Sequence, residues 1–278
     1  MTYRPSLQGQ DHKRDQELLT AIDGPVARIT FNRPTARNAI TSQMVLDMMA
    51  FLDRVAADDS VRCVVLTGAG NHFMAGGDVS GFGQVLEMPS DERRKELERR
   101  VRVSIPIFKH MLTMPQPIVA RVRGACAGAA VGFAACCDFI VADETALFLV
   151  AHVNIATSPD GATSYALPRK VGPAKALEMA MLGRKVSAQE ACEWGLVSHL
   201  VATDQLDAQV EAIVEQIIAL PASAVGSIKA LFGQSFHNTL DDQLQLEAET
   251  FGLCASHPNF VEGVTAFLEK RKATFNSA

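Results

Sequence analysis

The chain has 278 residues, 48% of them hydrophobic and 21% charged, which fits one or two globular domains. Lys and Arg number 26 against 31 Asp and Glu, a formal charge of −5, so no global positive field is offered to a nucleic-acid backbone. Nineteen Gly and twelve Pro are ordinary fractions and exclude a collagen-like or low-complexity chain.

Residues 1–17 are polar, carry no apolar period and read as a flexible N-terminal arm without the apolar stretch of a signal peptide. From Leu19 to Phe31 an apolar β segment contains a turn at Asp23-Gly24, and Val61–Thr67 is a second run rich in β-branched residues. Between them Met44, Val45, Met48, Met49, Leu52 and Val55 recur at helical spacing after a Thr41 or Ser42 N-cap. The run SDERRKELERRVR at 90–102 predicts a solvated helix supported by i,i+4 charge pairs. Further strands are expected at Pro117–Val122, Phe139–Ala142 and Ala146–Val150. After Gly161 helical periods fill the chain, apart from Leu196–Val201. The alternation predicts an α/β fold with largely parallel pairing: an arm at 1–17, a core at 18–202 and a C-terminal helical region at 203–278.

Cys63, Cys126, Cys136, Cys137, Cys192 and Cys254 show no C-x-x-C pair and read as reduced core residues. No stretch gives about 18 uninterrupted apolar residues, so no membrane partner is expected and the expected location is the cytoplasm. His72 and His199 have no partners at metal-ligand spacing, and no metal is expected.

Two segments carry candidate chemistry. In NHFMAGGDV, 71–79, adjacent glycines permit a tight turn that frees a backbone N–H. In GACAGAAVGFAACCD, 124–138, small residues let a helix start approach another backbone, with its first N–H groups unpaired near Gly128–Ala130. Read alone, the first is a strand-to-loop turn and the second a packed helix.

Taken together, NRPTARNAI at 32–40, VVLTGAGNHFMAGGDV at 64–79, GACAGAAVGFAACCDF at 124–139, SPDGATSYALPRKVG at 158–172, EACEWGLVSHLV at 190–201 and EGVTAFLEKRKATF at 262–275 resemble the crotonase superfamily, the enoyl-CoA hydratases and isomerases. The resemblance spans residues 18–275. It implies a crotonase-like β-β-α spiral with a C-terminal helical trimerisation region, a homotrimer or a hexamer built as a dimer of trimers, and an acyl-CoA thioester substrate. CoA is then part of the substrate and no separate cofactor is implied. Motif by motif, the resemblance puts two backbone oxyanion donors on Gly77 and Ala129, where they would hold a thioester enolate. Loss of one such donor typically costs about 2.7–4 kcal/mol of barrier stabilisation.

The resemblance also places Gly132 and His152 where a hydratase carries its two glutamates, so the usual carboxylate pair is missing. Asp160, in SPDGA, resembles the acid/base of Δ3,Δ2-enoyl-CoA isomerases and of phenylacetate-pathway isomerases. The implied activity is an acyl-CoA isomerase shifting a double bond, nearest to the phenylacetate branch. On the tripeptide alone Pro-Asp-Gly is a turn signature and Asp160 a cap or turn residue. His152 is either a satisfied buried side chain or a proton shuttle. Three alternatives stand beside the isomerase: a 2-enoyl-CoA hydratase, a C–C bond hydrolase using His152 with Asp160, and a non-catalytic acyl-CoA-binding homologue. The resemblance gives CoA contacts to Arg37, Phe267 and Lys270, whose plain alternative is surface charge and helix packing.

Overall fold

The computed structural model describes residues 16–275, so most of the expected arm and the last three residues of the helical region lie outside the described residues. A six-stranded sheet runs in the order β1 (Leu18–Asp23), β2 (Val26–Phe31), β3 (Cys63–Gly68), β4 (Ile118–Val122), β6 (Phe139–Asp143) and β9 (His199–Val201). The β1–β2 hairpin is antiparallel and turns at Gly24, whose φ is 54°. All four pairings that follow are parallel. A second sheet holds β5 (Ala125–Ala127), β7 (Leu147–Leu149) and β8 (Lys185–Ser187). Met74 extends it through a bridge to Cys126.

The chain visits the two sheets alternately. Each circuit leaves a strand in the large sheet, then a short strand in the small one, then a helix: β4, β5 and α4 (Ala129–Ala135), and next β6, β7 and α5 (Thr163–Leu182). This is the β-β-α spiral. Circuits stack because the large-sheet strands are apolar on both faces. Val64 and Leu66 of β3 enter the main core, while Cys63 and Val65 face a second apolar layer.

That second layer is formed by α7 (Leu206–Ile218), which presents Leu206, Val210, Ile213, Val214 and Ile217 to Val26, Cys63, Val65, Val119 and Val141. α7 therefore packs on the sheet itself. On the other face α1 (Ser42–Ala56) buries Met44, Val45, Met48, Phe51, Leu52 and Val55 and packs on α3 (Ser90–Thr113). Thr41 caps α1 by accepting the Met44 N–H at 3.2 Å.

α2 (Phe82–Leu86) and α6 (Ala188–Glu193) are short, and α6 opens with a capping box between Ser187 and Glu190. The chain ends in α8 (Ala222–Gln234), α9 (Leu240–Ser256) and α10 (Pro258–Leu268). α5 is interrupted at Gly172, φ 77°, directly before Pro173. Sequence periodicity does not reveal β5 and β8, because three residues are too few to show a period. The strand expected at 196–201 is observed only as His199–Val201. All six cysteines are unpaired, and burial raises the Cys63 thiol to about 12. No single helix among the described residues is long and apolar enough to cross a membrane.

Candidate active site

The site forms where loops leave the C-terminal ends of β3 and β4. After Gly68 the chain folds back under Asn38, which is fully buried and sits at a φ of 58°. The Asn38 amide donates to the carbonyls of Ala69 and His72 at 2.9 and 2.7 Å and accepts the Arg33 N–H at 2.9 Å. It thereby ties the 33–40 segment to the 69–72 loop. The motifs do not single out Asn38, although asparagine is a residue type that tolerates the left-handed region and bonds nearby backbone.

The same segment grips the following turn. Ala75 N–H donates to the Arg37 carbonyl at 2.9 Å, Ile40 N–H to the Gly76 carbonyl at 2.8 Å and Asp78 N–H to the Ile40 carbonyl at 3.0 Å. In this parallel bridge the Gly77 N–H faces away from Ile40. Gly76 is at φ 94°, and a Cβ there would stand 3.0 Å from the Ala127 carbonyl oxygen and 3.6 Å from the Ala129 nitrogen. The two loops thus meet backbone to backbone.

Ala129 is the first residue of α4, preceded by Gly128 at φ 60° and ψ −131°, a region only glycine enters readily. The Gly128 N–H is bonded to the Leu149 carbonyl at 2.8 Å. Neither the Gly77 nor the Ala129 N–H donates to a protein acceptor among the described residues. Two unpaired N–H groups at one backbone crossing are a ready anion cradle.

Asp160 stands beside this crossing. Its neighbour Gly161, φ 62°, packs on Ala129, where an added Cβ would meet the Ala129 Cβ at 3.1 Å and its carbonyl oxygen at 3.2 Å. The opposite side of the same turn fills the space next to Gly132. A Cβ at Gly132 would overlap the Gly161 carbonyl oxygen and come 2.7 Å from Thr163 Oγ1. No side chain fits at position 132 with the 158–162 turn lying this closely on α4.

His152 lies on a 3₁₀ turn, Ala151–Ile155, and is 8% exposed. Its Nε2 is 2.8 Å from Asp160 Oδ1, and the Asp160 N–H approaches the same nitrogen at 3.3 Å. With the carboxylate ionised, Nε2 carries the proton and donates to Oδ1; the longer N–H approach is secondary. Nδ1 is buried with no protein partner. One Asp160 oxygen is held by His152 and the other has no protein partner among the described residues, on a side chain that is 36% exposed. Thr163, 1% exposed, leaves its Oγ1 without a partner in the same turn, and sequence patterning offers no signal for it.

Arg37 is exposed, at φ 49°, and its carbonyl is the one that holds Ala75, which puts a cation on the rim of the turn. Beside Gly77, Asp78 caps a 3₁₀ turn through Ser80 and pairs with Arg33 at 2.8 Å. The Ser80 bonds and then Arg33 lower the Asp78 carboxyl below its ordinary value. Phe267 and Lys270 lie at the exposed end of α10, and no hydrogen bond, ion pair or ring contact joins them to Arg37 within the described residues. Asp160, His152, Gly77 and Ala129 are therefore brought together, with Arg37 nearby, while the α10 pair stands apart in a single chain.

Comparison with known proteins gives the family. Residues 21–278 match the enoyl-CoA hydratase/isomerase family. The chain is 31% identical over 258 residues to a 1,2-epoxyphenylacetyl-CoA isomerase of Escherichia coli K12, covering 93% of this chain and 97% of that one. It is 34% identical over 255 residues to a probable enoyl-CoA hydratase of Rhodobacter capsulatus, covering 91% and 95%. A solved enoyl-CoA hydratase of Mycobacterium smegmatis superposes with a TM-score of 0.85 at 34% identity, covering 93% of this chain and 98% of that one. With its spiral of two sheets and its paired N–H turn, the chain belongs to the enoyl-CoA hydratase/isomerase family, the crotonase superfamily of enzymes.

Proposed function

We propose that the protein is an acyl-CoA isomerase that moves a double bond through a thioester enolate. The observation that carries this reading is Asp160, with one oxygen held by His152 and the other free beside two unpaired N–H groups, while no side chain fits at Gly132 on the facing helix. The free oxygen of Asp160 takes a proton from C2 of a 3-enoyl thioester. The C2–H electrons delocalise over C2–C4 and onto the thioester oxygen, which the Gly77 and Ala129 N–H groups hold. The protonated Asp160 then returns the proton at C4, giving the 2-enoyl thioester without net addition of water. His152 Nε2–H fixes the other oxygen, so the carboxylate keeps one orientation through both transfers.

Arg37 is assigned to a phosphate of CoA, and Phe267 with Lys270 to the adenine end of the same CoA in a neighbouring subunit. The apolar side chains on the C-terminal helices support a homotrimer or a hexamer: Phe232, Phe251 and Phe267 are all more than 70% exposed in the single chain. CoA is the only carrier required. Sequence similarity to an epoxyphenylacetyl-CoA isomerase supports an acyl group from the phenylacetate branch.

A second reading, 2-enoyl-CoA hydration, is favoured by one feature, the buried unpartnered Nδ1 of His152, which offers an acceptor for a water proton. Incubation of 3-enoyl-CoA and 2-enoyl-CoA with the enzyme in deuterated water separates the two. Double-bond migration with deuterium at C2 or C4, lost in Asp160→Asn, is the expected result. Formation of 3-hydroxyacyl-CoA, lost in His152→Ala, would replace the isomerase with the hydratase.

A further inference from the structure

A cavity of 270 Å³ lies at the far end of the large sheet from the candidate active site. It opens where β3 and β4 begin, between Val61-Arg62 and Pro115–Pro117, and is closed by the first turns of α8 and α10. The active-site loops leave the other ends of these same parallel strands.

Arg62 is the one buried arginine among the described residues, 6% exposed. Its guanidinium donates to the Leu220 carbonyl and forms no ion pair within the described residues. Neighbouring cations differ: Arg28 faces Glu211, and Lys229, which reaches the Gln116 carbonyl, is neutralised by Asp138 at 2.8 Å. Asp59 on the cavity rim is exposed and not paired with Arg62. Burial lowers the Arg62 pKa with no carboxylate opposing the shift. A buried charge without a counter-ion is costly, and an anion in the cavity would offset that cost.

A second group in the cavity wall points the same way. Gln116, also 6% exposed, donates its Nε2 to the Val55 carbonyl at 3.0 Å and leaves Oε1 buried without a partner. Ser223, at the second position of α8, lines the opposite wall. α8 has no side-chain N-cap, so its first N–H groups add positive potential there.

We propose that this cavity binds inorganic phosphate as its protonated oxyanion, bridging the sheet to the C-terminal helices. The anion accepts from Arg62 and from the start of α8, and its one O–H donates to Gln116 Oε1. Monohydrogen phosphate carries both functions near neutral pH; sulfate lacks the proton.

The test is titration of the full-length protein with inorganic phosphate, methyl phosphate and sulfate at matched ionic strength, followed by calorimetry and ³¹P NMR. Saturable phosphate binding stronger than sulfate binding is expected, and it persists when the enzyme is saturated with CoA. Arg62→Gln weakens it by about tenfold or more, the usual size of a lost charged hydrogen bond. Ser223→Asp, which suits a helix N-terminus and so preserves folding, supplies a carboxylate in place of the ligand and abolishes binding. Methyl phosphate, whose dianion carries no O–H near neutral pH, is expected to bind weakly like sulfate; binding as tight as that of phosphate overturns the proposal. Non-saturating stabilisation by every salt, binding that CoA displaces, or equal binding in both variants overturns it.

Discussion

Gly132 has a structural reason to be a glycine. The Gly161 carbonyl occupies the position its Cβ would take, so Gly132→Ala must push the 158–162 turn away from α4. Overpacking of this kind typically costs about 1–3 kcal/mol. Thermal unfolding of Gly132→Ala is expected to show that loss, together with a fall in kcat larger than any change in KM, because Asp160 rides on the displaced turn. Full activity in a correctly folded Gly132→Ala would detach Asp160 from the chemistry. Asp160→Asn keeps the shape of the turn and removes the base. Its isomerase rate is expected to fall by roughly 10²–10⁴-fold, the usual contribution of a positioned acid/base group, with the unfolding temperature nearly unchanged. The remaining members, Gly77 and Ala129, act through backbone atoms, so their substitution tests packing more than chemistry.

At the level of elements, caps and exposed ion pairs hold the helix ends. Thr41→Ala removes the acceptor for the Met44 N–H and also a hydroxyl that donates to Glu17 at 2.6 Å; about 1 kcal/mol of stability is expected to be lost, most of it restored by Thr41→Ser. Acid conditions act on a different set. Arg184 first, and then the Ser187 N–H and hydroxyl, hold the Glu190 carboxyl down to about 2 from an ordinary 4.5. Arg271 and the Thr274 N–H do the same for Glu262. A carboxyl lowered in the folded state supports stability above its unfolded pKa. That support is lost as pH falls from 4.5 towards about 2. Unfolding temperatures measured across that window should decline less steeply in Glu190→Gln than in the parent, and an identical slope would remove Glu190 from the acid response.

For the molecule as a whole, the apolar surface of the C-terminal helices sets the expectation. Phe251 on α9 and Phe267 on α10 are 72% and 81% exposed, and extensive exposed apolar surface marks interaction sites. Light scattering coupled to size exclusion should report a trimer or a multiple of it. Phe251→Glu is expected to shift the mass towards the monomer and to weaken CoA binding together with it, because the α10 contacts are assigned to a neighbour's ligand. A monomeric parent protein with full activity would withdraw both the assembly and that assignment.

The sequence alone determined the family and with it the order of elements: long apolar runs and ordered motifs survive in one dimension because burial dictates residue type locally. Thr41 as a cap, the α1 stripe and the turn at Gly24 were legible for the same reason. Gly77, Ala129, His152 and Asp160 stand out in the motifs as well. Tertiary structure decided what these residues do to one another. That His152 bonds Asp160, that Gly132 is filled by a carbonyl, and that Asn38 ties two loops are contacts between segments 8 to 34 residues apart. By sequence α7 belongs to the C-terminal helical region, yet its stripe meets the back of β2, β3, β4 and β6. The buried charge of Arg62 was invisible in a chain where arginine normally marks surface, because whether a cation has a counter-ion depends on which segments close around it.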